Sequence, residues 1–110
     1  MKIKEKGHTL VIKKSEDTIT EFIAKVKTQY ETLKKHNLIF DLSQEPVLEL
    51  ESLNQFLELV SMQTENKKSL VLVMSSVNYN DFDEELIIVP SVQEAHDIIE
   101  MDEIERDLGF

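Results

Sequence analysis

The most constraining feature of the chain is a short apolar run, Leu38-Ile39-Phe40-Asp41-Leu42. Stretches of helical periodicity stand on both sides of it. A five-residue run with almost no alternation reads as a strand covered on both faces, and such strands belong to the centre of mostly parallel sheets. Two more runs have the same character, Leu70-Val71-Leu72-Val73-Met74 and Leu86-Ile87-Ile88-Val89, the last closed by Pro90. Strands that alternate with helices imply an α/β layer structure.

The N-terminus adds two β-prone runs at residues 2–5 and 9–13, with Lys6-Gly7-His8 between them as a hairpin turn. Thr18 and Glu21 form a T-x-x-E capping box. Behind it, Ile19, Phe22, Ile23, Val26, Tyr30 and Leu33 recur at spacings of three and four, one helical stripe that ends at His36-Asn37. A loop with Pro46 leads to a second stripe, Leu50, Leu53, Phe56, Leu57 and Val60, which breaks at Asn66-Lys67-Lys68. Residues 77–85 are polar and read as a short helix or turn. Ser91 and Glu94 form a second capping box. The helix behind it carries Val92, Ala95, Ile98, Ile99, Met101, Ile104 and Leu108, with Gly109 placed as its C-terminal cap. The expected fold is α/β: a mixed, mostly parallel sheet of about five strands with four helices, in the order ββαβαβ(α)βα. Loops are short and no linker or repeat interrupts the chain, so residues 1–110 read as a single domain.

Charge is unevenly placed. Residues 1–80 hold 11 acids and 11 bases, whereas residues 81–110 hold 11 acids and one base, Arg106. The whole net charge of −10 therefore lies in the last thirty residues. Such a surface repels nucleic acid and anionic membrane, and it could steer a basic partner. There is no cysteine, which excludes disulfides and thiol chemistry. No apolar run is long enough to span a bilayer, and no apolar segment follows the charged start of the chain, so the expected location is cytoplasmic.

Candidate chemistry gathers at the carboxyl ends of the strands, where α/β sheets place their ligands. Asp41 and Ser43 follow the first core strand and Ser75, Ser76 and Asn78 the second. Asp41 is the odd residue, a carboxylate in an apolar strand. As a functional group it would accept phosphate or bind a metal; as a structural one it would cap the following turn through backbone N–H groups, and the second reading is favoured. His8, His36 and His96 are isolated, and none has a partner at i+4, so no zinc site is expected. With only Gly7 and Gly109, the chain has no phosphate-cradling loop, and no nucleophile elbow is present. No cofactor is expected.

The order of elements, together with residues 36–43, the helix bearing Leu53, Phe56 and Leu57, the Asn-Lys-Lys turn and the strand after it, resembles the STAS domain. That is the fold of bacterial anti-sigma-factor antagonists. The resemblance implies a STAS-like fold and a non-catalytic regulatory, protein-binding role. It implies as partner a regulatory protein, either anti-sigma-factor-like or basic, with a homodimer left open. In the family, an Asp-Ser-Ser-Gly-Leu signature stands at the loop-to-helix junction, and a serine of it is phosphorylated to block docking. Matching the final Leu to Leu53 puts Glu49, Leu50, Glu51 and Ser52 on the preceding positions. Glu51 then occupies the switch position, and the usual switch would be absent. A shift of one residue would place Ser52 there instead and bring Asn54 into an apolar slot. The docking surface implied is Ser43, Glu49, Glu51, Ser52 and Asn54. The alternative is a small-ligand-binding domain or small enzyme using Asp41, Ser43 and Ser75. The closing helix, residues 93–100, is similar to that of chains that have carried the label ribonuclease Z. That chemistry needs an H-x-H-x-D-H cluster with further histidines, and the three isolated histidines do not supply it.

Overall fold

The computed structural model describes residues 1–45, 50–75 and 85–109. Among them, five strands, β1 (Lys2–Lys6), β2 (Thr9–Lys13), β3 (Asn37–Asp41), β4 (Leu70–Val73) and β5 (Ile88–Val89), form one sheet in the order β1-β2-β3-β4-β5. β1 runs antiparallel to β2, and every later pairing is parallel. The fold is thus mixed α/β with a mostly parallel sheet, as expected. At the hairpin, Lys6 pairs with Thr9 and Gly7 has φ +59°. Glycine enters that region freely, whereas a side chain at that first turn position would be strained.

Helices α1 (Ile19–Thr28) and α2 (Tyr30–Leu33) connect β2 to β3; α3 (Leu50–Asn54) and α4 (Leu57–Glu65) connect β3 to β4. Each of these two expected helices is therefore broken in the middle. The sheet order advances one strand at a time in one direction, so crossovers of one hand place α1 to α4 on the same face. There Phe22, Val26, Leu53, Phe56 and Leu59 close over Leu10, Ile12, Leu38, Phe40 and Leu72. The final helix, α5 (Val92–Asp107), lies on the other face, where Ala95 and Ile99 pack on Ile39, Val71, Val73 and Val89. Pleating explains the division, because successive residues of β3 and β4 point to opposite faces.

Both capping boxes place their hydroxyls as expected. The Glu21 amide donates to Thr18 Oγ1 at 3.1 Å and the Glu94 amide to Ser91 Oγ at 3.2 Å. α4 ends in a Schellman motif: Lys68 N–H donates to the Gln63 carbonyl and Lys67 N–H to that of Thr64. Lys67 takes the left-handed position, φ +59°, that glycine usually fills. Gly109, φ +81°, closes α5 as expected.

Three details differ from the sequence pattern. In the second stripe Leu59 is fully buried and Leu57 only half-buried, because the break at Gln55-Phe56 resets the helical phase. The run 86–89 contributes only two residues to β5, an edge strand, and Ile87 is 38% exposed. On α5, only Ala95 and Ile99 are buried; Met101, Ile104 and Leu108 face solvent. Pro46 and residues 77–84 lie outside the described residues.

Candidate functional site

The carboxyl ends of β3 and β4 bring Asp41, Ser43 and Ser75 together. Asp41 is the last residue of β3 and shares the α5 face with Ile39, two positions earlier. Its Oδ1 accepts the Ser43 amide at 3.0 Å and the Ser43 hydroxyl at 2.6 Å. Ser75 Oγ donates in turn to the Ser43 carbonyl at 3.1 Å. One Asp41 oxygen thus receives two donors from a residue two positions on, the geometry of an Asx turn. This is the structural use of the carboxylate that the sequence favoured. The backbone behind it is tied as well, since the Leu42 amide donates to the Val73 carbonyl at 2.9 Å.

Removing that oxygen leaves the Ser43 amide and hydroxyl without their acceptor. Asp41→Ala is expected to cost about 1–2 kcal/mol in a urea melt, and Asp41→Asn, which keeps the acceptor, clearly less. Equal and negligible losses for both variants would show that the turn does not rely on this carboxylate.

The second half of the candidate surface is α3. Glu51 and Asn54 are exposed, Ser52 is half-buried, and Leu53 is buried beneath them. Leu53 therefore packs into the core, and Glu51 reaches solvent. The end of the helix is tied to α1 by Thr20 Oγ1, which donates to Gln55 Oε1 at 3.0 Å. Glu49 lies outside the described residues, as do Ser76 and Asn78. Nearby, Lys14, its side chain 6% exposed, pairs with Glu45 at 2.7 Å.

The histidines stay apart. His8 Nδ1 lies 3.2 Å from Glu103, and His36 Nε2 lies 3.8 Å from Glu5. His96 is half-buried on α5, where burial and then the nearby Lys6 lower its pKa, so its ring stays largely neutral at pH 7. Among the described residues, no three potential metal ligands gather, and no helix is long and apolar enough to cross a membrane.

A polar network at the opposite end of the sheet was not foreseen. Gln63 is 1% exposed. Its Oε1 accepts from the Tyr30 hydroxyl at 2.8 Å, and its Nε2 donates to the carbonyls of His36 and Ser69. Ser69 N–H donates to Asn37 Oδ1 at 2.9 Å. Arg106, the lone base of the acidic segment, turns inward to Ser69 Oγ at 2.6 Å, and that hydroxyl meets Asp102 at 2.7 Å. Apart from Gln63 and Ser69, these partners lie about thirty residues apart in the chain, and the only local signal was a polar residue at a position due to face the core. The network joins α2, α4, β3, β4 and α5 and is structural in character. No protein-family model matches this chain, and comparison with curated proteins finds no match either.

Proposed function

We propose that the chain is a non-catalytic, STAS-like interaction domain that docks a regulatory protein, anti-sigma-factor-like or basic in character, through the β3–α3 junction. The observation that carries this reading is the junction itself. A buried central strand ends in a capped turn, and a short helix then presents Glu51 and Asn54 to solvent over buried Leu53. The mostly parallel five-stranded sheet is of the kind the resemblance implies. Asp41 supports binding over catalysis, because Ser43 already occupies one of its oxygens twice. Glu51 in the switch position gives the surface a permanent negative charge, so its docking would not respond to a kinase.

The test is affinity capture from lysate with the full chain and with Glu51→Lys and Asn54→Arg, both at exposed positions. A regulatory protein retained by the parent chain should lose at least about tenfold in recovery with Glu51→Lys, in line with the cost of reversing a contact charge. A partner retained equally by the parent and by both variants would remove the junction as the docking surface.

A further inference from the structure

The sheet is covered unevenly. α5 packs mainly over β3, β4 and β5 and touches β2 and the hairpin only at Thr9, Val11 and His8, so among the described residues the rest of that face of β1 and β2 stands open beside it. Residues directly opposite in an antiparallel pair share a face. Lys2 stands opposite Lys13, Lys4 opposite Val11 and Lys6 opposite Thr9. Val11 leans on the cluster beneath α5, which puts these lysines on the α5 side of the sheet. Together with Val92 and His96 of α5 they line a groove of ≈ 760 Å³. Its floor is Val11, Val92 and the aliphatic lysine stems; four lysines against Glu5 and Asp41 leave its rim net cationic.

The chain also exposes an apolar stripe of the opposite kind. Met101, Ile104 and Leu108 are 61%, 53% and 66% exposed. Ile104 lies nine residues after buried Ala95, which turns it about half-way round the helix, away from the sheet. Glu100 and Glu105 are exposed on either side of the stripe, and exposed Asp97 stands one turn before it. Among the described residues, a groove with a net basic rim and an apolar stripe with acidic neighbours thus both stand exposed on one molecule.

We propose that the outer face of α5 in one copy docks into the lysine groove of a second copy, head to tail. Charge complementarity selects this occupant. The only strongly acidic part of the chain is residues 81–110, and the lysine row of β1 faces the groove. The same row sits on an edge strand, where like charges oppose direct pairing of β1 with another β1. The approach left to a second copy is therefore through a helix. The two surfaces differ, so the contact is heterologous, and each added copy leaves one groove and one stripe free. A contact made by about two helical turns falls at the small end of specific interfaces. The net charge of each chain opposes approach at low salt, so association should be seen near physiological ionic strength, where the screening length is about 8 Å.

Sedimentation equilibrium of the full chain in physiological salt tests the contact, with Lys4→Glu damaging the groove and Ile104→Lys damaging the stripe. Circular dichroism checks that both variants fold, as exposed positions allow. The average mass of the parent should rise with concentration above 12.8 kDa, and each variant should associate at least about tenfold more weakly. The two variants mixed should associate again and stop at a pair, because one intact stripe then meets one intact groove. A parent that stays monomeric throughout, an association that neither variant weakens, or a mixture no better than its components would each overturn the proposal.

Discussion

Phe56→Ala should lower the unfolding free energy by about 3–5 kcal/mol, the usual cost of emptying a large aromatic site in a closed core. Phe56 is fully buried. Its ring centroid lies 5.6 Å from that of Phe40 and 6.4 Å from that of Phe22, and those two meet edge-on at 5.3 Å. The three rings join α1, β3 and the α3–α4 junction, so the cavity would open directly beneath the break between those helices. A domain of this size typically holds about 5–15 kcal/mol in all, so the variant should still fold, with little margin. Phe56→Leu keeps most of the volume and should cost no more than about 1.5 kcal/mol. Urea melts give both numbers. Hydrogen exchange separates a global from a local effect: α3 should exchange faster in Phe56→Ala while β3 and β4 stay protected. If Phe56→Ala costs less than about 1 kcal/mol, the junction collapses into the space and is not held by this ring.

The same junction shows where a sequence pattern stops being sufficient. Residues 38–42 and 70–74 read as buried strands because both faces of a central strand must be apolar, and both form. The capping hydroxyls of Thr18 and Ser91 and the glycines at 7 and 109 were legible because each satisfies a local backbone need. Leu59 was missed for a physical reason. A stripe projected at a constant 100° per residue assumes an unbroken helix, and the turn at Gln55-Phe56 shifts the phase after it. The α5 stripe reads as apolar in sequence, but periodicity does not say what covers it; α5 packs mainly on β3 to β5, and its outer residues stay in solvent. Asp41 was legible as a turn cap because the donors it accepts from lie two residues away. Gln63 was not, because its burial depends on Tyr30, His36 and Ser69, which only the tertiary fold assembles around it.

Glu16→Gln should cost about 3 kcal/mol at pH 7, and that cost should shrink as the solution is acidified. In sequence Glu16 belongs to an ordinary polar loop, yet its side chain is only 2% exposed. Burial alone would raise its pKa. The Met1 ammonium at 2.8 Å, Lys25 at 3.0 Å and the Ser15 amide at 3.1 Å outweigh burial and hold it at about 2, against an ordinary value of 4.5. A depression of that size corresponds to about 3 kcal/mol of stability. The folded pKa lies below the unfolded one, so the unfolded chain binds the extra proton. The stabilisation is therefore complete above about pH 4.5 and is lost as pH falls from there towards 2. At pH 3 the parent and Glu16→Gln should differ by roughly half as much as at pH 7. A difference that stays constant between the two would mean that packing of the side chain, not its charge, holds the loop. The carboxylate ties the start of β1 to the first helix, and β1 carries three of the groove lysines. Neutralising Glu16 should therefore speed hydrogen exchange in β1 before β3 or β4 responds, and weaken any association that uses the lysine row.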